Sequence, residues 1–158
     1  MDADPPPDAE RRSALAIDMN VFIPSAITNL AQRIASSATA AYLPRWGVGI
    51  TDWRILALLA AAPWTAPVEI GEATGLDKAA VSRALRGLID KEFVEMCADE
   101  TRRRRQPLAL TRAGLAVHDE IVTLARQREA RLLTGFTTQE RAQLSDFLAR
   151  LGREAAQL

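Results

Sequence analysis

The sequence predicts a mainly α-helical fold carrying one small β-hairpin. Three observations lead there. Apolar residues recur at three- and four-residue spacing over most of the chain, the signature of amphipathic helices. Alternation with period two occurs only near residues 94–98 and 108–110, on either side of a charged tip. The chain has 158 residues, of which 48% are hydrophobic and 25% charged, which suits one ordinary globular domain.

Each element can be justified in order. Residues 1–12 read as a disordered arm, because Pro5, Pro6 and Pro7 cannot start a helix core. From Phe22 the pattern becomes helical. Pro24 suits a first turn, and Ile27, Leu30, Ile34 and Ala38 form a stripe. Pro44 predicts an end near Tyr42 and Leu43, since the residue before proline avoids the helical region. A glycine-containing loop, 45–50, follows. Thr51 is the expected N-cap of a second helix. With Trp53, Ile55, Leu56, Leu58 and Leu59, that helix is apolar on most sides and should lie at the centre. Pro63 stops it. Pro67 opens a short third helix that closes at Thr74 and Gly75, and Asp77 caps a fourth running to about Lys91. In the hairpin, Val94, Met96 and Ala98 should face inward and Glu95 and Cys97 outward, with Leu108 and Leu110 repeating the alternation. Thr111 caps a long fifth helix to about Leu133. Thr137 and Glu140 form a capping box that opens a sixth, bearing Leu144, Phe147, Leu148 and Leu151.

Bulk composition excludes several classes. The single Cys97 precludes an internal disulfide, and with one histidine, His118, there is no Cys/His zinc site; no metal or cofactor is expected. No apolar run approaches the roughly 18 residues of a membrane span. The Pro- and Asp-rich start is unlike a signal peptide, so the expected location is the cytoplasm. No nucleophile with a base and an orienting group stands out, and there is no Gly-rich phosphate loop, so an enzyme is not expected. Net charge is zero, with 20 basic and 20 acidic residues, but it is unevenly spread. Residues 77–112 hold nine basic side chains against six acidic ones, and Arg102, Arg103, Arg104 and Arg105 are consecutive.

Short helix, glycine turn, second helix and hairpin, in that order, make a winged helix-turn-helix. Its second helix needs one packed face and one face free for the major groove. At about 100° per residue, Val81, Ala84, Leu85 and Leu88 fall on one side of the fourth helix, and Ala79, Ser82, Arg83 and Arg86 on the other. The outer face is therefore small near its start, including Ala79 and Ala80, and basic further on. Arginine bonds guanine bidentately, while Ser82 or Lys78 suits phosphate. Asp77 leaves helix N-terminal N–H groups near the DNA backbone. The arginine tip, Arg102 to Arg105, suits a narrow A·T-rich minor groove. These residues are the expected contacts to double-stranded DNA. A protein-interaction winged helix would instead carry an apolar outer face, and an architectural binder would show no preference between duplexes.

Three stretches carry a family resemblance. Residues 75–83 (GLDKAAVSR), Thr51 to Leu56 (TDWRIL) and Leu108 to Gly114 (LALTRAG) resemble the recognition-helix start, the entering helix and the wing exit of the MarR family. Phe22-Ile23-Pro24 with Leu30 to Ile34 resembles the first helix of one subgroup, and the likeness spans about residues 22–152. The sequence departs from the pattern at two places. Arg102 stands where a second wing acid is usual, between Asp99 and Arg104. Ala66 stands where a capping Thr or Ser is common, with Thr65 as the substitute.

The resemblance implies a homodimer, with residues 13–45 as a first dimerisation helix, 46–111 as the DNA-binding region and 112–158 as C-terminal dimerisation helices. It implies a pseudo-palindromic operator with half-sites about 34 Å apart. It also implies release by a small aromatic acid or its thioester. Arg33, Tyr42, Trp46, Trp53 and His118 are the candidate effector residues, Arg33 for a carboxylate and the rings for stacking. Each has a structural role that is the stronger reading: Trp53 as core, His118 at a surface or interface, Arg33 paired with an acid across the dimer. Cys97, outward and near the arginine tip, is the basis of an alternative thiol-redox response, set against the lack of a resolving cysteine.

Overall fold

A computed structural model describes residues 17–19, 21–97 and 106–157. The elements in order are α1 (Ile23–Trp46), α2 (Ile50–Ala61), α3 (Pro67–Thr74), α4 (Lys78–Asp90), β1 (Val94–Met96), β2 (Leu108–Leu110), α5 (Arg112–Leu132) and α6 (Thr138–Ala155). The expected arm, 1–12, and the tip with Asp99 and Arg102 to Arg105 lie outside the described residues.

Helix α2 is the hub, as its all-round apolar character predicts. Ile55, Leu56 and Leu59 are buried, and α2 packs against α1, α3, α4, α5 and β2. Val48, Ile70, Leu88, Leu108 and Ile121 join them in the fully enclosed centre. Three caps follow the sequence. Asp77 accepts the Ala80 N–H at 2.7 Å. Thr111 accepts the Gly114 N–H at 3.0 Å and donates its own hydroxyl to the Glu92 carbonyl at 2.6 Å. Thr137 and Glu140 bond reciprocally, at 3.2 and 2.7 Å. The backbone N–H of Thr137, followed by its hydroxyl, holds the Glu140 carboxyl below its ordinary range.

Several boundaries differ from expectation. Helix α1 runs through Pro44 to Trp46 and ends at Gly47, which is left-handed (φ 66°) and donates to the Leu43 carbonyl at 2.9 Å. A proline in the last turn removes one helical bond, but the glycine three residues on supplies a better stop. The expected loop shrinks accordingly. Thr51 lies inside α2, not at its cap. Gly49 is the cap residue, and its N–H donates to the Asp52 carboxylate at 3.0 Å. An acid at the third helical position satisfies the N–H of the cap residue, the reverse half of a capping box, while Gly49 has no side chain to supply the other half. Helix α3 repeats the device, with Glu69 accepting the Ala66 N–H at 3.0 Å. Thr65 does not substitute as a cap; its hydroxyl donates to the Ala62 carbonyl at 2.6 Å.

The hairpin pairs Val94 with Leu110, Glu95 with Ala109 and Met96 with Leu108. Thr65 bridges Leu108 from the other side, with N–H···O bonds of 3.1 and 2.9 Å. Strand β2 is thus flanked on both edges, and all three of its residues are buried, where alternation predicted only two. Met96 was expected inward and is 54% exposed. Past Val94 the ribbon leaves the core, and its inner face opens on a groove of about 540 Å³ that includes Val68, Leu85, Ile89 and Leu108. Cys97 is half-buried rather than fully outward, and its N–H donates to the Pro107 carbonyl at 2.9 Å.

Candidate nucleic-acid interface

The turn between α3 and α4 is tight because two glycines allow it. Gly75 is left-handed (φ 65°) and closes α3 by donating to the Gly71 carbonyl. Leu76 donates to the same carbonyl at 3.2 Å. A methyl on Gly71 would lie 3.2 Å from the Leu76 carbonyl oxygen, so that residue lets the turn fold back onto its own helix. Arg54 of α2 donates to the Thr74 carbonyl, the last one of α3. The chain then enters α4 at Asp77.

Helix α4 divides as its sequence predicts. Val81, Ala84, Leu85 and Leu88 are buried. Asp77, Lys78, Ala79, Ser82, Arg83 and Arg86 are exposed, and Ala80 is half-buried beside the cap. Arg86 makes one long bond, 3.4 Å, back to the Ser82 carbonyl. Among the described residues, no carboxylate pairs with Lys78, Arg83 or Arg86. Three cations on one bare helical face make a surface of positive potential with side chains long enough to reach a groove.

The residues expected to meet an effector divide differently. Tyr42, Trp46, Trp53 and His118 come together where α1, α2 and α5 meet. Tyr42 is buried, with ring centroids 6.1 Å from Trp46 and 6.2 Å from Trp53. Trp53 stacks on His118 at 5.4 Å, and the His118 Nδ1 lies 2.9 Å from the Asp119 carboxylate. Trp46 donates its indole N–H to Glu120 at 2.9 Å, and Arg45 bonds the same oxygen at 3.2 Å. Arg33 is exposed on α1 and has no contact with these rings among the described residues. The guanidinium that does reach them is that of Arg128 on α5, 5.9 Å from the Tyr42 ring and bonded to the Ser37 hydroxyl at 2.8 Å. Sequence reasoning missed it. The available signal was spacing: Val117, Ile121, Leu124 and Arg128 share one helical stripe, and the arginine continues an otherwise apolar row.

A helix with one face locked into the core and the other bare and cationic, followed by a two-stranded ribbon, defines the class: a winged helix-turn-helix regulator that binds DNA. The model of the MarR family matches residues 46–105. A MarR/EmrR family transcriptional regulator from Acinetobacter sp. ADP1 is 30% identical, covers 90% of this chain and 100% of its own, and superposes with a TM-score of 0.83. The chain belongs to the MarR family of transcriptional regulators. Two more distant structures share the fold. One is the PcaV transcriptional regulator from Streptomyces coelicolor, solved with its natural ligand (22% identity, 89% of this chain and 98% of that one, TM-score 0.74). The other is MepR from S. aureus, solved as a DNA complex (16%, 88% and 99%, TM-score 0.75). A comparison with curated proteins finds no match.

Proposed function

We propose that this protein is a cytoplasmic, ligand-responsive repressor that binds a pseudo-palindromic operator as a homodimer and is released by a small aromatic acid or its thioester. The observation that carries the reading is the outer face of α4, where Ser82, Arg83 and Arg86 are exposed and the two arginines are unpaired by acids among the described residues. In this role Arg83 and Arg86 read base edges. Ser82 and Lys78 hold phosphate, Ala79 and Ala80 let the helix approach closely, and Asp77 orients its N-terminus. Arg102 to Arg105, outside the described residues, enter the minor groove.

Two further features support the reading. Exposed apolar side chains line α1 (Ile23, Ile27, Leu30, Ile34) and α6 (Leu144, Phe147, Leu148, Leu151), and α6 buries none of its own residues. Helices of that kind are covered by a partner, and a second copy would bring two α4 helices to one side of DNA. Tyr42, Trp46, Trp53 and His118 sit where α1, α2 and α5 meet, with Arg128 supplying the cation expected of Arg33. A ligand that opened this cluster would change the spacing of the recognition helices only by preferring one arrangement over the other.

The test begins with duplexes selected by the protein from a randomised library. A two-fold symmetric consensus is expected. Arg83→Ala should relax preference at one symmetric pair of positions, by about 1–3 kcal/mol of discrimination. Uniform loss across all sequences would make Arg83 a phosphate contact, and absence of any consensus would end the operator-binding reading. A thermal-shift screen of aromatic acids and their thioesters tests the effector. A hit must also weaken binding to the selected duplex.

A further inference from the structure

We infer that Arg54 is a positioning residue for base reading: it braces the turn ahead of α4 by bonding the last carbonyl of α3, and so sets how α4 meets DNA. This rests on the DNA-binding reading of α4 and adds a residue outside that helix.

The last carbonyls of a helix have no partner within it. The Ile70 carbonyl accepts the Thr74 hydroxyl at 2.6 Å, and the Gly71 carbonyl accepts the N–H groups of Gly75 and Leu76. Thr74 is only 7% exposed, and its carbonyl takes the Arg54 guanidinium. A cation at that point also opposes the partial negative charge of the helix end. Among the described residues, no other side chain from outside α3 bonds to the backbone of Thr74, Gly75 or Leu76.

The brace has a rigid base. Arg54 is exposed, but the residues that follow it on α2, Ile55 and Leu56, are both 0% exposed. Asp77, which starts α4, is three residues beyond Thr74. A small change in that turn therefore tilts the whole outer face of α4. Bidentate base contacts tolerate little misalignment, whereas long cations reaching phosphates tolerate more. Losing the brace should then cost selectivity before it costs general affinity. The core does not depend on Arg54, so the fold should survive.

The experiment uses the full chain as wild type, Arg54→Ala, Arg54→Gln and Arg54→Lys. The probes are the best duplex selected by the wild type and a scrambled duplex of equal composition. For the Ala and Gln variants, affinity for the selected duplex should fall roughly tenfold, the scale of one charged hydrogen bond. Affinity for the scrambled duplex should stay within about twofold, with an unchanged salt slope. Arg54→Lys should recover most of the loss, because it keeps both the positive charge and the reach that the shorter, neutral Gln lacks. Amide exchange at residues 75–80 should quicken in the Ala and Gln variants relative to α2. Equal loss on both duplexes with a salt slope shallower by about one would make Arg54 a phosphate contact and overturn the proposal. So would unchanged affinity. If Arg54→Ala melts far below the wild type, Arg54→Gln carries the comparison. If the wild type selects no duplex, the DNA reading fails by itself, and unchanged exchange at residues 75–80 would separately remove the brace.

Discussion

Two glycines, Gly75 in the turn before α4 and Gly114 just after the hairpin, do different physical jobs. Gly114, in the first turn of α5, lies against the backbone of Phe93: a methyl there would be 2.0 Å from the carbonyl oxygen. That carbonyl is pinned, accepting the Thr111 N–H at 3.1 Å, while the Phe93 N–H donates to Leu88 at 2.9 Å. Neither side can yield without moving α5 away from the wing. Gly75 has φ 65° with open space around it, so its role is conformational rather than steric. Gly114→Ala should therefore destabilise by on the order of 3 kcal/mol, the upper part of the overpacking range. Gly75→Ala should lose only about 1 kcal/mol, the penalty for a side chain in the left-handed region. Denaturant melts of the two variants check the order, and a smaller loss at Gly114 than at Gly75 would refute the close-contact argument.

At the scale of the element, α4 is set by its first residue. Asp77 supplies the acceptor for the Ala80 N–H at 2.7 Å, and the helix continues to Asp90 with Val81, Ala84, Leu85 and Leu88 holding one face. Asp77→Ala should lose about 1 kcal/mol of stability, while Asp77→Asn should keep most of it, since an amide oxygen also caps. Chemical unfolding measures both, and equal loss for the two would mean that the negative charge, not the capping bond, is what matters at this position. The same comparison bears on function. If the cap orders the residues that approach DNA, Asp77→Ala should also slow association with the selected duplex while leaving the salt dependence unaltered.

For the whole molecule, the question is what covers α1 and α6. Phe147 and Leu148 are 54% and 51% exposed, and a helix that buries nothing on its own chain is held by very little of it. Leu148→Asp places a charge in the middle of the proposed interface, where it would be buried without a partner. The variant should sediment as a monomer at concentrations where the wild type, on the proposed reading, sediments as a dimer. Its melting temperature should no longer rise with concentration, and its affinity for a two-fold symmetric duplex should collapse. A Leu148→Asp protein that remains dimeric would place the interface elsewhere.

The local sequence was enough for the element order, the caps at Asp77, Thr111 and Thr137, and the two faces of α4. Each of these depends on residues within a turn or two of one another, through side-chain period and short-range hydrogen bonds. It was not enough where a distant group competes. One miss was local, since Thr51 lost its place as cap because Asp52, three residues from Gly49, reaches back to it. Ala109 is buried where α2 and α5 both pack against β2, and Met96 is exposed where the end of β1 runs out past the core. Arg33 was singled out for the aromatic cluster, yet Arg128 reaches it, from a helix 86 residues away from Tyr42 in the chain. The brace from Arg54 to Thr74 was equally invisible, since its ends are 20 residues apart. Periodicity says which side of a helix a residue occupies; only the packing of helices against one another decides which side chain meets which.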